Sequence, residues 1–329
     1  METEQGKLPP PPRLVASLMA GFDSVANHIA VILPPVLLDL FLWLGPHLSL
    51  KQFAQPLIDS LTALAGSPFL TLKPTDVASA QQMYTEFFNR FNLFSVLRTF
   101  PLGITSLLSL DLPSRNPWGT PGSLDAGSFF GIVGWAILLV LLGWVLGALY
   151  YYWIAVVTLK TEPHPLGRSL QQGLLLSIIW MGLLILFGLP TLLFLSVVTA
   201  LSSFLGQALL FIGVVLLIWL VMPVFFSSHG VFALQLNALN AILNSLRLVR
   251  FTLPNTGLFL LTFVIINQGL DFLWNTPPQN SWWMLVGIIG HAFVSTALLA
   301  ASFVYYHDIN AWLKIIFEQL QRQTTSAKA

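Results

Sequence analysis

Residues 204–226 read FLGQALLFIGVVLLIWLVMPVFF, without one charged side chain. A helix needs about 20 predominantly apolar residues to cross a hydrocarbon layer of about 30 Å, so this stretch reads as a membrane crossing. Working outward from it, five more long apolar runs share its character, 28–44, 128–159, 170–201, 256–274 and 282–306, uncharged but for Asp39 in the first and Asp271 in 256–274. The chain is therefore expected to cross a membrane six times, with 204–226 as the fourth crossing. The second and third runs exceed the minimum and should tilt or project. Pro190 should kink the third, because it removes one backbone N–H and crowds the preceding turn. The first is short and carries the pair Pro34-Pro35.

Composition agrees over the whole length. Of 329 residues, 56% are hydrophobic and 8% charged, where a soluble domain carries about 25% charged residues. Mean hydropathy is +0.79. A water-soluble globule is excluded, since most of the apolar surface must face something other than water. A net charge of +1 with scattered Lys and Arg supplies no field for nucleic acid. The absence of cysteine removes disulfides, thiol nucleophiles and thiolate metal sites. The fold class expected is all-α: a polytopic helical membrane protein with interfacial amphipathic helices.

Lys and Arg in short loops set orientation. With the N-terminus inside, the inner segments hold Lys7 and Arg13, Lys160 and Arg168, and Arg247 and Arg250. The C-terminal tail adds Lys314, Arg322 and Lys328, while the short outer loops 202–203 and 275–281 hold none. The long loop 45–127 holds Lys51, Lys73, Arg90, Arg98 and Arg115, but long loops translocate largely regardless of charge. Both termini are expected in the cytoplasm, and the membrane is expected to be a bacterial inner membrane. Trp282 and Trp283 should mark an outer boundary, and Tyr150–Tyr152, Tyr305 and Tyr306 inner ones. A cleaved leader is the rival reading of the first run, but Gly45-Pro46-His47 makes a poor cleavage site.

Three regions follow. Residues 1–27 combine a proline-ended polar tail, 1–12, with a short inner interfacial helix over 13–27 that presents Leu14, Leu18 and Phe22. Residues 28–306 form the membrane domain, including the outer loop 45–127. Residues 307–329 form an amphipathic helix with Ile309, Trp312, Leu313, Ile316 and Leu320 on one face, then an unstructured tail from Thr324. Within the outer loop, Tyr84, Phe87, Phe88, Phe91, Phe94 and Leu97 recur at helical spacing and predict a helix over 82–100. Its greasy face would pack on the bundle or on lipid, or else form a partner-docking or substrate-guiding cap. Leu112-Pro113 to Gly119 reads as loop. On the inside, Asn237, Asn240, Asn244 and Arg247 oppose Leu236, Leu239, Leu243 and Leu246, predicting an amphipathic helix over 232–250. A weak internal repeat pairs Leu166–Leu170 with Ile242–Arg247 before two crossings.

No sequence signature of chemistry is present: no Lys-Ser or Lys-Thr phosphate loop, no HExxH and no GxSxG. The acidic residues show no clustering of the two-metal kind, so no catalytic residue, metal or cofactor is expected. Polar groups inside the membrane are the remaining clue, because they are costly and have a reason. Asp39 falls in the first crossing, Asp271 with Asn267 and Gln268 near the outer end of the fifth, and His291 about mid-membrane in the sixth. One reading makes Asp39 and His291 a proton or cation relay; the favoured one makes each a hydrogen-bonded tie between helices. Gly143 and Gly147, with Ala148, form a small-residue step in the second crossing, and Gly287, Gly290, Ser295 and Ala297–Ser302 make the sixth small-sided. Such faces let helices approach closely, within one chain or between chains, the first being the favoured reading.

The stretch Asn237-Ala238-Leu239 to Ser245-Leu246-Arg247-Leu248-Val249-Arg250, followed by Gly257–Leu261, resembles the inner-helix pattern of a known family. That family is the bacterial six-helix membrane proteins related to the membrane domain of glycerophosphodiester phosphodiesterases. Tyr305-Tyr306-His307-Asp308 resembles the family's Tyr-Tyr-Asp-like exit, with a His inserted. The resemblance covers crossings two to six; the outer loop and 37–46 depart from it. It implies a standalone membrane module without the catalytic barrel some relatives carry, and nothing about phosphodiester hydrolysis.

The leading expectation is a non-enzymatic scaffold, assembly factor or accessory subunit. Its partners would be membrane lipids and a membrane protein met through the outer loop or the inner amphipathic helices. The alternative is a transporter or lipid-handling protein with a polar path near Asp39, Asn267, Asp271 and His291.

Overall fold

The computed structural model describes residues 9–65, 74–108, 115–160 and 165–326. The first part of the proline-rich tail, Lys73, Leu112-Pro113 and the last three residues lie outside the described residues. Ten α-helices carry the described fold: α1 Leu14–Asn27, α2 Leu33–Leu44, α3 Lys51–Ala65, α4 Pro74–Arg90, α5 Phe129–Leu159, α6 Leu166–Leu183, α7 Leu189–Leu201, α8 Ser203–Leu234, α9 Ala238–Trp274 and α10 Met284–Ser326. The only paired strands among the described residues are β1 His47–Ser49 and β2 Ser123–Asp125, parallel, with His47 opposite Ser123. The protein is an all-α polytopic membrane protein.

Five spans are long and apolar enough to cross: α5, α6 with α7, α8, α9 and α10. The pair Leu14–Asn27 and Ile29–Leu44, bent by 98°, makes a sixth span if the two cross as one broken unit. The expected first crossing, 28–44, is a 3₁₀ turn, Ile29–Ile32, that leads into α2. The expected helix over 13–27 is α1, and it buries Ser17, Gly21 and Val25. A Cβ on Gly21 would overlap the backbone of Ala301 in α10. Phe22 meets Phe293 edge-on at 6.0 Å, and Trp312 Nε1 donates to Pro9 O at 2.7 Å. Small residues on both helices permit that approach, since lipid offers no hydrophobic gain for bringing helices together.

The third crossing contains one π-helical turn, Leu184–Gly188, just before Pro190. The missing proline N–H is absorbed there. Beyond this turn α7 and the first half of α8 are apolar and mostly exposed, with Phe194, Leu201, Phe204, Phe211 and Leu216 each at least 60% exposed. A helix apolar all round in contact with lipid needs no inward face.

The predicted inner helix over 232–250 is divided. Residues 232–234 finish α8, Gln235 turns in the left-handed conformation, and Asn237 caps α9 by accepting from Asn240 N at 2.8 Å. The first half of α9 then folds back along α8, where Ser245 Oγ donates to Pro223 O at 2.7 Å. Thr252, with φ −125° and ψ 19°, kinks α9 before Pro254. The two repeat-like stretches are not equivalent, one opening α6 and the other lying inside α9.

α10 is the hub: 72% of its most apolar stretch is buried, against 6% for that of the third crossing. It continues to Ser326, so part of the tail expected from Thr324 to be unstructured is helical. Tyr305 and Tyr306 belong to its core, not to an inner interfacial belt. Tyr305 stacks on Phe259 at 4.2 Å and Tyr306 on Phe226 at 5.8 Å. Tyr150 is likewise buried, bonded to Thr296 at 2.8 Å. Trp282 and Trp283 are exposed at the opposite end.

Candidate functional site

The predicted helix over 82–100 ends early. α4 stops at Arg90, and a 3₁₀ turn, Leu93–Leu97, follows. Asn92 starts that turn: its buried Oδ1 accepts from Leu48 N at 2.9 Å and Phe94 N at 3.0 Å. Residues 91–108 then re-enter the bundle between α2, α5 and α10. Gly143 and Gly147 make room for this segment, not for another helix. A Cβ on Gly143 would lie 2.6 Å from Leu97 O, and one on Gly147 2.8 Å from Leu102 O. Farther along, Thr105 Oγ1 is 2.9 Å from Ser295 Oγ. Ser295 is 11 residues (295 minus 284) into α10, about 16 Å along the helix.

Non-helical backbone at that depth must find every partner inside the protein. Phe100 O accepts from Trp144 Nε1 at 2.9 Å, and Leu102 O from Thr99 Oγ1 at 2.5 Å. Asp39 supplies three more bonds. Its fully buried carboxylate accepts from Ser106 Oγ at 2.5 Å, Leu107 N at 3.0 Å and Leu108 N at 3.2 Å. Asn116 Nδ2 adds a bond to Trp43 O at 3.1 Å, and Trp43 Nε1 one to Gln279 O at 2.7 Å. The α2 register thus fixes both the re-entrant segment and the α9–α10 turn.

The other sequence-predicted residues form a second group. Asn267 Nδ2 donates to Asp271 Oδ2 at 3.1 Å, and Asp271 Oδ1 lies 2.7 Å from His291 Nδ1. With a carboxylate as acceptor, Nδ1 carries the proton, which ties α9 to α10 and leaves Nε2 as the free nitrogen. That Nε2 is buried without a hydrogen-bond partner, as is Trp274 Nε1. Asp39 is an electrostatic neighbour of His291 without bonding to it. Gln268 points away and is exposed. Gly287 and Gly290 seat Trp274: a Cβ on Gly290 would lie 2.6 Å from its ring, and one on Gly287 would overlap its carbonyl. The four candidate polar residues therefore fall in two separately bonded groups, Asp39 with residues 106–108, and Asn267 and Asp271 with His291.

One buried group escaped sequence reading. His229 in α8 is fully buried, with Nε2 2.6 Å from Ser302 Oγ and Nδ1 3.0 Å from Phe225 O. Phe303 at 4.4 Å and Phe225 at 5.0 Å enclose its ring. Its only local signal was a histidine after two serines at the end of an apolar run. Outside the spans, burial holds the His47 imidazole below its usual range, and its Nε2 has no partner. Among the described residues no three His, Cys, Asp or Glu converge to hold a metal ion. Comparison with protein-family models, curated proteins and solved structures returns no match.

Proposed function

We propose that this chain is a non-enzymatic scaffold, assembly factor or accessory subunit of a bacterial inner membrane, with both termini cytoplasmic. One observation carries the reading: the space between α2, α5 and α10 is filled by the re-entrant segment. Leu97, Leu102, Leu107 and Leu108 are each at most 9% exposed there. Asp39, the polar residue best placed to line a path, is committed to three bonds that hold this segment. A filled interior suits a part that holds others in place. The outer α3–α4 pair, with Met83, Tyr84 and Phe87 exposed, and the inner end of α10 are the contact surfaces. The resemblance of 237–261 and 305–308 to the phosphodiesterase membrane domain supports a membrane module and assigns no activity.

The second reading, a transporter or lipid-handling protein, draws on the bare His291 Nε2 beside the Asp271 bond. Affinity purification from native membranes separates the two. A stoichiometric membrane-protein companion that wild type retains, and a Met83→Gln, Tyr84→Gln, Phe87→Gln variant loses, is the expected result. A chain recovered alone that moves solute or lipid when reconstituted overturns the scaffold reading.

A further inference from the structure

The first half of α9 presents an apolar stripe to its surroundings. Leu239, Leu243 and Leu246 are 64%, 63% and 47% exposed. The opposite face buries Ala238, Ala241, Ser245, Leu248 and Val249, so the stripe is not the face that packs on the bundle. Two arginines flank its far end. Arg247 and Arg250 are exposed, and neither has an ion-pair partner among the described residues. Arg250 lies over the Phe251 ring at 5.9 Å, and Phe251 meets Phe317 of α10 at 5.2 Å. The nearby acidic side chain along α10 is Glu318, also exposed. The stripe ends at the Thr252 kink, where α9 turns into its crossing.

We infer that this face of α9 binds an anionic phospholipid of the adjoining leaflet. Three leucines at i, i+4 and i+7 match the boundary between headgroup and acyl chain, where an amphipathic helix buries its apolar side. The two arginines follow at i+8 and i+11: Arg250 continues the line of leucines one turn beyond Leu246, at the kink, and Arg247 stands about 80° to one side of Leu239. Guanidinium groups recognise phosphodiester oxygens through paired N–H donors, and unpaired arginines near a membrane favour anionic over zwitterionic headgroups. An exposed apolar patch rimmed by positive charge has its complement in such a lipid. The site stands independently of whether the chain is a scaffold.

The test uses the full chain purified in mild detergent after exposure to phosphatidylcholine with or without phosphatidylglycerol. Retained lipid is read by native mass spectrometry. Wild type is expected to retain phosphatidylglycerol roughly tenfold over phosphatidylcholine, and Arg247→Gln/Arg250→Gln to lose that preference. Lys314→Gln and Arg168→Gln, elsewhere on the same side, are expected to keep it. Equal retention by wild type and the double variant overturns the inference, and so does equal loss in the Lys314 and Arg168 variants. Inorganic phosphate competing as well as the lipid overturns it as well. A photocrosslinker at residue 243 that captures protein in place of lipid in native membranes also refutes it. Because both arginines are exposed, a normal melting transition in the double variant is part of the expected result.

Discussion

Replacing Asp39 by alanine leaves two buried backbone N–H groups, those of Leu107 and Leu108, without an acceptor. A buried donor stripped of its partner costs about 1–3 kcal/mol, so the pair amounts to about 2–6 kcal/mol. Ser106 keeps another interaction besides its bond to Asp39 and adds little. Removing a fully buried carboxylate also relieves its own desolvation, which lowers the net loss to about 2–4 kcal/mol. Asp39→Asn keeps the shape and one acceptor oxygen but turns an amide donor toward a backbone N–H, so it should cost about half as much. Ser106→Ala should cost about 1 kcal/mol or less. The assay is unfolding of the purified protein from mild detergent by increasing denaturing detergent. Tryptophan emission reports it, because Trp43 is buried four residues away. Amide hydrogen exchange gives the specific readout: Leu107 and Leu108 should exchange faster in both Asp39 variants while amides of α6 do not. An Asp39→Ala protein within about 0.5 kcal/mol of wild type, with unchanged exchange at Leu107 and Leu108, would refute the view that this carboxylate anchors the re-entrant segment.

Other perturbations probe the same architecture. Gly147→Leu should destabilise by about 1–3 kcal/mol through overpacking, because its Cβ alone would sit 2.8 Å from Leu102 O. Gly134→Leu, with nothing within 4 Å, is the matched neutral control in the same melting experiment. Gly21→Leu should lift α1 from α10, where a Cβ already overlaps Ala301. Limited proteolysis should then cut within 14–27 in the variant and spare wild type. His47 gives a pH dependence: burial favours its neutral form in the fold, so the unfolded chain binds the proton more readily. Its effect is absent above the ordinary value of 6.5 and grows as a penalty as pH falls below it. His47→Gln should flatten the difference in melting temperature between about pH 5 and pH 7, and an unchanged profile would dismiss the residue as its source.

The legibility of the sequence followed the locality of the forces. Crossings 128–159, 204–226, 256–274 and 282–306 could be read because hydrocarbon makes a local demand: each helix must satisfy its own backbone bonds and shed its charges. Asp271 and His291 could be singled out too, since intramembrane ionisable groups are too costly to stand alone, but not their bond to each other, the relay reading pairing His291 with Asp39 instead. Asp39 could be singled out for the same reason, but not its partners, which lie 67 to 69 residues ahead in a segment that looked like outer loop.

By itself, then, the sequence determined the class of protein, five of its spans and the few polar residues worth examining. Tertiary structure alone decided that Gly143 and Gly147 face a re-entrant loop, that α1 is seated on α10, and that Tyr305 and Tyr306 are core. It also decided that the greasy side of the first half of α9 looks outward. The physical reason is the solvent. Lipid is as apolar as leucine, so hydrophobic pattern no longer distinguishes the side that packs from the side that does not. Inside a membrane that choice is left to shape, to small residues and to the obligation of every buried polar group to find a partner.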